Sequence, residues 1–359
     1  MNAPLPQRLA RLIRQDVQGM HAYAVQPSIG LVKLDAMENP HRLSPQLQRE
    51  LGERLGAVAL NRYPGERIDT LKQALARHAG MPEGFSLMLG NGSDEIISLI
   101  AMACDVPGAS ILAPMPGFVM YAMSAQLQGL KFIPVDLTPD FELDERAMLS
   151  AIEQHQPSIV YLAYPNNPTA NLWDDAVVEK IVQAAPGLVV IDEAYQPFAS
   201  RTYADRITRH DHVLLMRTMS KFGLAGVRIG YMIGRSALVA QIDKVRPPYN
   251  VSVLNCEAAL FALEHAKVFE DQAAELRRQR GLLLERLSKL PGVKAWRSDA
   301  NMILVRVPDA TQAFEGMKGR GVLVKNVSRM HPLLAQCLRL TVGTAEENAQ
   351  QLKALQESL

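Results

Sequence analysis

In Leu188-Val189-Val190-Ile191-Asp192-Glu193-Ala194-Tyr195 an unbroken apolar run, 188–191, stops on the carboxylate of Asp192. Consecutive aliphatic residues, mostly β-branched and without polar alternation, describe a strand covered on both faces, the condition of an internal strand in a parallel sheet. Ligands of such sheets collect outside the carboxyl ends of the strands, which puts Asp192 where chemistry is done. Runs of the same strand-like character recur at 87–89, 111–113, 132–135, 159–163, 213–216 and 229–233, with helix-period stretches between several of them. This alternation predicts a three-layer α/β large domain built on a mainly parallel seven-stranded sheet, over about residues 46 to 254. After Pro247-Pro248 the pattern changes: 255–266 and 268–290 read as helices, while 302–307, 322–325 and 338–342 read as strands of a smaller α+β domain.

Two more stretches follow strand-like runs in the same way. Pro165-Asn166-Asn167-Pro168-Thr169 comes after 159–163, and Ser220-Lys221, preceded by Thr218 and followed by Gly223, Gly226 and Arg228, comes after 213–216. Together with Asp192 they supply an amine, a carboxylate and a set of hydrogen-bond donors, which suits pyridoxal 5'-phosphate. Lys221 can condense with the cofactor aldehyde, give way to a substrate amine, and then shuttle a proton. Asp192, facing the pyridine nitrogen, would keep it protonated so that the ring withdraws electrons from the reacting carbon. Asn167 and Tyr195 can donate to the ring's phenolic oxygen.

Gly90-Asn91-Gly92-Ser93-Asp94-Glu95 precedes the apolar stretch 96–104. Two readings stand side by side: an ordinary helix start capped by Ser93, or a phosphate site made of backbone N–H groups.

Composition narrows the function classes. With 359 residues, 48% hydrophobic and 21% charged, the chain reads as a soluble enzyme, and a net charge of +1 provides no field for gripping nucleic acid. Cys104, Cys256 and Cys337 form no Cys-x-x-Cys and read as buried thiols of a reducing compartment. His210 and His212 lead into an apolar run rather than a ligand cluster, so no metal is expected. The first 20 residues alternate Arg8, Arg11 and Arg14 with Leu9, Leu12 and Ile13, an amphipathic helix rather than a signal peptide, and 96–104 is too short to span a membrane. The expected location is the cytoplasm.

The motifs occur in an order that resembles the fold-type I pyridoxal-phosphate aminotransferases nearly end to end, from Glu38-Asn39-Pro40 through Asn61-Arg62-Tyr63-Pro64 to Leu338-Arg339-Leu340-Thr341-Val342-Gly343-Thr344. Within that group the chain most resembles the histidinol-phosphate aminotransferases. The resemblance implies that Lys221, Asp192 and Tyr195 are catalytic. The amides of Ser93 and Asp94, the Ser220 hydroxyl and the Arg228 guanidinium would hold the cofactor phosphate, and Phe118 would cover the pyridine face. Tyr63 would reach the phosphate of a neighbouring subunit, making a homodimer with shared sites. Arg339 would take the substrate phosphate and the 2-oxoglutarate carboxylate, with Tyr23 nearby and Lys325 where several relatives carry a second arginine. The first 45 or so residues would pack with the carboxyl-terminal part, making the small domain 1–45 plus 255–359. The implied reaction converts L-histidinol phosphate and 2-oxoglutarate to imidazole acetol phosphate and L-glutamate. Alternatives are an aminotransferase for aromatic or dicarboxylic amino acids, a threonine-phosphate decarboxylase, or a non-enzymatic regulatory protein. The chain departs from the family at Ala170, where a glycine usually follows Asn-Pro-Thr, and in the spacing from Lys221 to Arg228, one residue shorter than in some relatives.

Overall fold

The computed structural model describes residues 5–20 and 26–359. A short β1 (Val32–Lys33) precedes the principal strands β2 (Phe85–Gly90), β3 (Ser110–Met115), β4 (Lys131–Asp136), β5 (Ile159–Ala163), β6 (Leu188–Asp192), β7 (Val213–Thr218) and β8 (Gly230–Arg235). These seven form one sheet in the order β2-β8-β7-β6-β5-β3-β4. Only β8 runs antiparallel to its neighbours, and the remaining pairs are parallel. Each strand-like run of the large domain falls within one of these strands, except that 229–233 begins one residue before β8.

Strand periodicity explains why the runs are apolar throughout. On β6, Val189 and Ile191 enter one buried cluster together with Val160 and Leu162 of β5, whereas Val190 enters the opposite one with Ile159 and Tyr161. Helices cover both faces, so every residue of β5 and β7 is buried. Caps fix where these helices start and stop. Asp144 and Asp174 accept backbone N–H groups at the heads of Glu145–His155 and Asp175–Ala184, and Gly129, at φ 75°, ends Val119–Gln128 in the left-handed conformation.

A second, antiparallel sheet has the order β12-β13-β10-β9, made of β9 (Lys294–Ala295), β10 (Met302–Arg306), β12 (Lys325–Asn326) and β13 (Cys337–Thr341). Between them in sequence, β11 (Val322–Leu323) pairs in parallel with β1, Val32 opposite Val322. The predicted strand 322–325 is therefore two, because its halves find different partners on either side of Val324. The amphipathic stretch at the amino terminus is likewise divided, into helices Leu5–Leu12 and Gln15–Gln18.

We propose the division of the chain at about residue 254 as a compositional boundary, and packing crosses it. Cys256, Ala259 and Leu260 of helix Val253–Glu264 share a core with Leu71 and Leu75, whereas Leu276, Leu283 and Leu287 of helix Ala266–Leu287 join the core of the second sheet. Among the described residues, no helix is long and apolar enough to cross a membrane.

Candidate active site

The carboxyl ends of β5, β6 and β7 open into one cavity at Ala163, Asp192 and Thr218. Ser93, Asp94, Phe118, Asn167, Asp192, Tyr195, Ser220, Lys221 and Arg228 all line it. They converge because each follows a strand of the same sheet or sits at the head of the helix after one.

Asp192 is 4% exposed, and each carboxylate oxygen has a donor. Ala194 N–H donates to Oδ1 at 3.0 Å and the Tyr121 hydroxyl donates to Oδ2 at 2.7 Å. Burial pushes its pKa up to about 6, against the two hydrogen bonds, which hold it down, while Asp94 and Glu193 add to the rise. The carboxylate is thus ionised at neutral pH but has an enhanced attraction for a proton. Its neighbour Glu193 is 1% exposed, and Arg217 of β7 donates to it through Nε at 2.9 Å. That buried pair ties the strand carrying the acid to the strand that leads to the lysine.

Lys221 extends its amine to the carbonyl oxygen of Ala36, 2.9 Å away, and lies 5.8 Å from the centre of the Tyr195 ring. Burial lowers its pKa to about 8, Arg339 and Arg228 assist, and Glu38 and Asp94 oppose. An amine so placed releases its proton near physiological pH, as a nucleophile and base must.

The helix Ser93–Ala103 removes one of the two readings of the glycine-rich turn, the cap by Ser93. Its N-cap is Gly92, at φ 82°, and no side chain caps its first turn; Ser93 is the first helical residue. The first N–H groups of a helix have no intrahelical acceptor, an arrangement that suits an anion. Space for one is made by glycine: a Cβ on Gly230 would lie 2.5 Å from Ser93 N, and one on Gly92 would lie 2.6 Å from Arg228 Nη2. Arg228 itself takes φ 54°, and its Nη2 donates to Asp94 Oδ2 at 3.2 Å. A non-glycine residue held in this conformation marks a position that its surroundings over-determine.

The model of the family "Aminotransferase class I and II" matches residues 29–355. This chain belongs to that family. A histidinol-phosphate aminotransferase of Polaromonas naphthalenivorans is 72% identical over the full length of both chains, and one of Methylibium petroleiphilum is 71% identical over 98% of this chain and 96% of its own. Among solved structures, the histidinol-phosphate aminotransferase of Sinorhizobium meliloti in complex with pyridoxal-5'-phosphate superposes with a TM-score of 0.84 at 24% identity, covering 97% of each chain. The L-threonine-O-3-phosphate decarboxylase of Porphyromonas gingivalis has the same fold, with a TM-score of 0.77 at 22% identity over 91% of this chain and 99% of that one.

Of the remaining expected residues of this aminotransferase, Arg339 meets the cavity lining through Asn167, and Lys325 and Tyr63 stand apart from it. Arg339, 8% exposed on β13, donates to Asn167 Oδ1 and to the Asp35 carbonyl oxygen, both at 2.7 Å, which joins the second sheet to the cavity wall. Lys325 stands directly opposite Arg339 in the β12–β13 register, and it does not line the cavity. Tyr63 does not line it either: it is 74% exposed and stacks on Tyr249 at 4.2 Å. Tyr23 lies outside the described residues. Among the described residues, no cluster of His, Cys, Asp and Glu could hold a metal ion.

Sequence reasoning passed over two contributors to this aminotransferase's cavity. Tyr121 follows Phe118 by three residues, one helical turn, and that spacing alone could have suggested a shared face. The other is the strap 35–37, just before the motif Glu38-Asn39-Pro40. Its successive carbonyls accept from Arg339, Lys221 and Asn301, and Met37, at φ 52°, lines the cavity.

Proposed function

We propose that this aminotransferase transfers the amino group of L-histidinol phosphate to 2-oxoglutarate, using pyridoxal 5'-phosphate and giving imidazole acetol phosphate and L-glutamate, as a cytoplasmic homodimer. The observation that carries the reading is one cavity holding a lysine with lowered pKa, an ionised carboxylate with raised pKa, and an uncapped helix start beside Arg228. The full-length identity with histidinol-phosphate aminotransferases supports the choice of substrate.

The donor set fits pyridoxal 5'-phosphate. Its phosphate would meet the N–H groups at Ser93 and Asp94, the Ser220 hydroxyl and Arg228. Asp192 would face the ring nitrogen, Asn167 and Tyr195 the phenolic oxygen, and Phe118 the ring. When bound, the cofactor supplies an aldehyde for covalent linkage to an amine and an electron-withdrawing ring. Asp192 stays ionised at neutral pH and so holds a proton at the ring nitrogen by charge attraction across a buried site. Lys221, with a pKa of about 8, offers a substantial neutral fraction to take a proton from the substrate carbon and return it. Arg339 offers a planar fork to the phosphate of one substrate and the carboxylate of the other, and Lys325, opposite in register, adds positive charge on the same sheet face. Tyr63, exposed and turned to its stack with Tyr249, would serve the phosphate of a second copy.

Purified protein supplied with 2-oxoglutarate and, in turn, histidinol phosphate, phenylalanine, aspartate and phosphothreonine tests the reading. We expect glutamate formation with a kcat/KM for histidinol phosphate at least about tenfold above the other donors, a difference of roughly 1.4 kcal/mol. A higher value for phenylalanine or aspartate, or carbon dioxide from phosphothreonine, would overturn the substrate assignment.

A further inference from the structure

Tyr121 has an environment that aromatic packing alone does not require. It is 2% exposed, stacked face to face on Tyr161 at 4.3 Å and set edge-on to Phe118 at 5.6 Å. A phenylalanine would fill the same space without the desolvation cost of a hydroxyl. The hydroxyl donates to Asp192 Oδ2 at 2.7 Å. An ionised carboxylate has about two acceptor positions on each oxygen, so one donor on Oδ1 and one on Oδ2 hold the group in place and leave capacity for a further partner.

We propose that Tyr121 is a positioning residue of the reaction: its phenol fixes the Asp192 carboxylate toward the cofactor's ring nitrogen and keeps it ionised there. The proposal rests on the cofactor reading above. Burial and the adjacent carboxylate push the Tyr121 hydroxyl well above the ordinary tyrosine range, so it remains a donor throughout the working pH range. The other groups facing or flanking Asp192 work in both directions. Asp94 at the head of its helix and Glu193 on the same strand end favour the protonated carboxyl, while Ala194 N–H favours the ionised form. Tyr161 and Tyr195 feel the charge of Asp192 and, buried themselves, stay neutral, and Lys221 shares the cavity. Within this set Tyr121 is the one side chain whose hydrogen bond stabilises the ionised carboxylate, so removing it raises the proton affinity of Asp192.

The test measures cofactor binding rather than turnover. Apoprotein and its Tyr121→Phe and Tyr161→Phe variants are titrated with pyridoxal 5'-phosphate across the pH range, and again with the analogue in which carbon replaces the ring nitrogen. In Tyr121→Phe the pH below which affinity for the natural vitamer falls should move up by about one unit, and affinity just above the normal midpoint should drop about tenfold. Affinity for the analogue should not change. Tyr161→Phe, which keeps the stack and alters a hydroxyl that donates elsewhere, at 3.4 Å to the Ile97 carbonyl, should behave like the parent. An unmoved midpoint, an equal loss for the analogue, or the same shift in Tyr161→Phe would overturn the proposal. If the unaltered protein binds the vitamer at no pH, the cofactor reading falls first, and this inference with it.

Discussion

On the large-sheet side of the cavity, Asp192, Lys221 and Ser93 each stand within a few residues of a strand end, and a buried ion pair, Glu193 with Arg217, ties two of those strands together. On the second sheet, Arg339 reaches a backbone carbonyl 304 positions away in sequence and the side chain of the cavity-lining Asn167, 172 positions away. The first wall is made of local sequence and holds groups whose proton affinities are displaced by burial. The second includes long-range contacts from Arg339 to the Asp35 carbonyl oxygen and to Asn167 Oδ1. We propose a division of labour, covalent chemistry on one wall and substrate anchoring on the other. Changes on the two walls should then affect different kinetic constants.

The largest effect is expected from Lys221→Ala, which removes nucleophile and base together. Steady-state turnover should fall by at least about a thousandfold. Borohydride reduction followed by peptide mass spectrometry should find the vitamer attached at residue 221 in the parent and nowhere in the variant. Near-normal turnover in the variant would break the comparison at its first wall.

Arg339→Lys should produce the next largest change and a different signature. A point charge replaces a fork that can take two oxygens at once, so kcat/KM for histidinol phosphate should drop by about a hundredfold while the affinity of the free protein for pyridoxal 5'-phosphate stays the same. Equal losses of cofactor and substrate affinity would mean that the two walls are not separable.

Much of the first wall is legible in the sequence. Asp192, Asn167 and Lys221 all follow apolar runs, and the period of a strand converts sequence distance directly into position at the sheet edge. The second wall was legible only by resemblance. That Lys325 faces Arg339 depends on a strand register set after Val324 breaks the run in two. The strap 35–37 contributes backbone carbonyls, which no side-chain pattern reveals. Tyr121 was visible as an aromatic, yet the direction of its hydroxyl depends on the stack with Tyr161.

Stability of the apoprotein sharpens the comparison further. The folded pKa of Lys221, about 8, lies below its ordinary 10.5. This amine therefore contributes stability that is present above the ordinary value and is lost as pH falls through the folded one. Below about pH 8 the protein carries a charged amine in a desolvated place, so Lys221→Met should make the apoprotein more stable there, by roughly 1 to 2 kcal/mol after allowing for solvent reaching the cavity. Denaturant melts at two pH values, one near neutrality and one above 10.5, would measure it, and the gain should shrink at the higher pH. An equal gain at both would point to packing instead of charge.

The smallest effect is expected at the seam between the walls. Ala170, fully buried, sits at φ 66°, in the left-handed region that a side chain with a Cβ occupies at a cost. A glycine here would take the same conformation without that cost. The Ala170 N–H donates to the Asn166 carbonyl and its own carbonyl accepts from Asp299 N–H, at 2.9 and 2.7 Å, so the turn is fixed from both the first sheet's loop and the segment leading to β10. Ala170→Gly relieves the strain and at the same time adds freedom to the unfolded chain, and the two nearly offset. Denaturant melts should show a change of within about 1 kcal/mol, with kcat and the affinity for cofactor unaltered, because neither wall loses a chemical group. A loss well beyond that size would mean that the methyl group packs between the sheets in a way that outweighs its backbone cost, and that the walls are joined by side-chain contact at this seam as well as by hydrogen bonds.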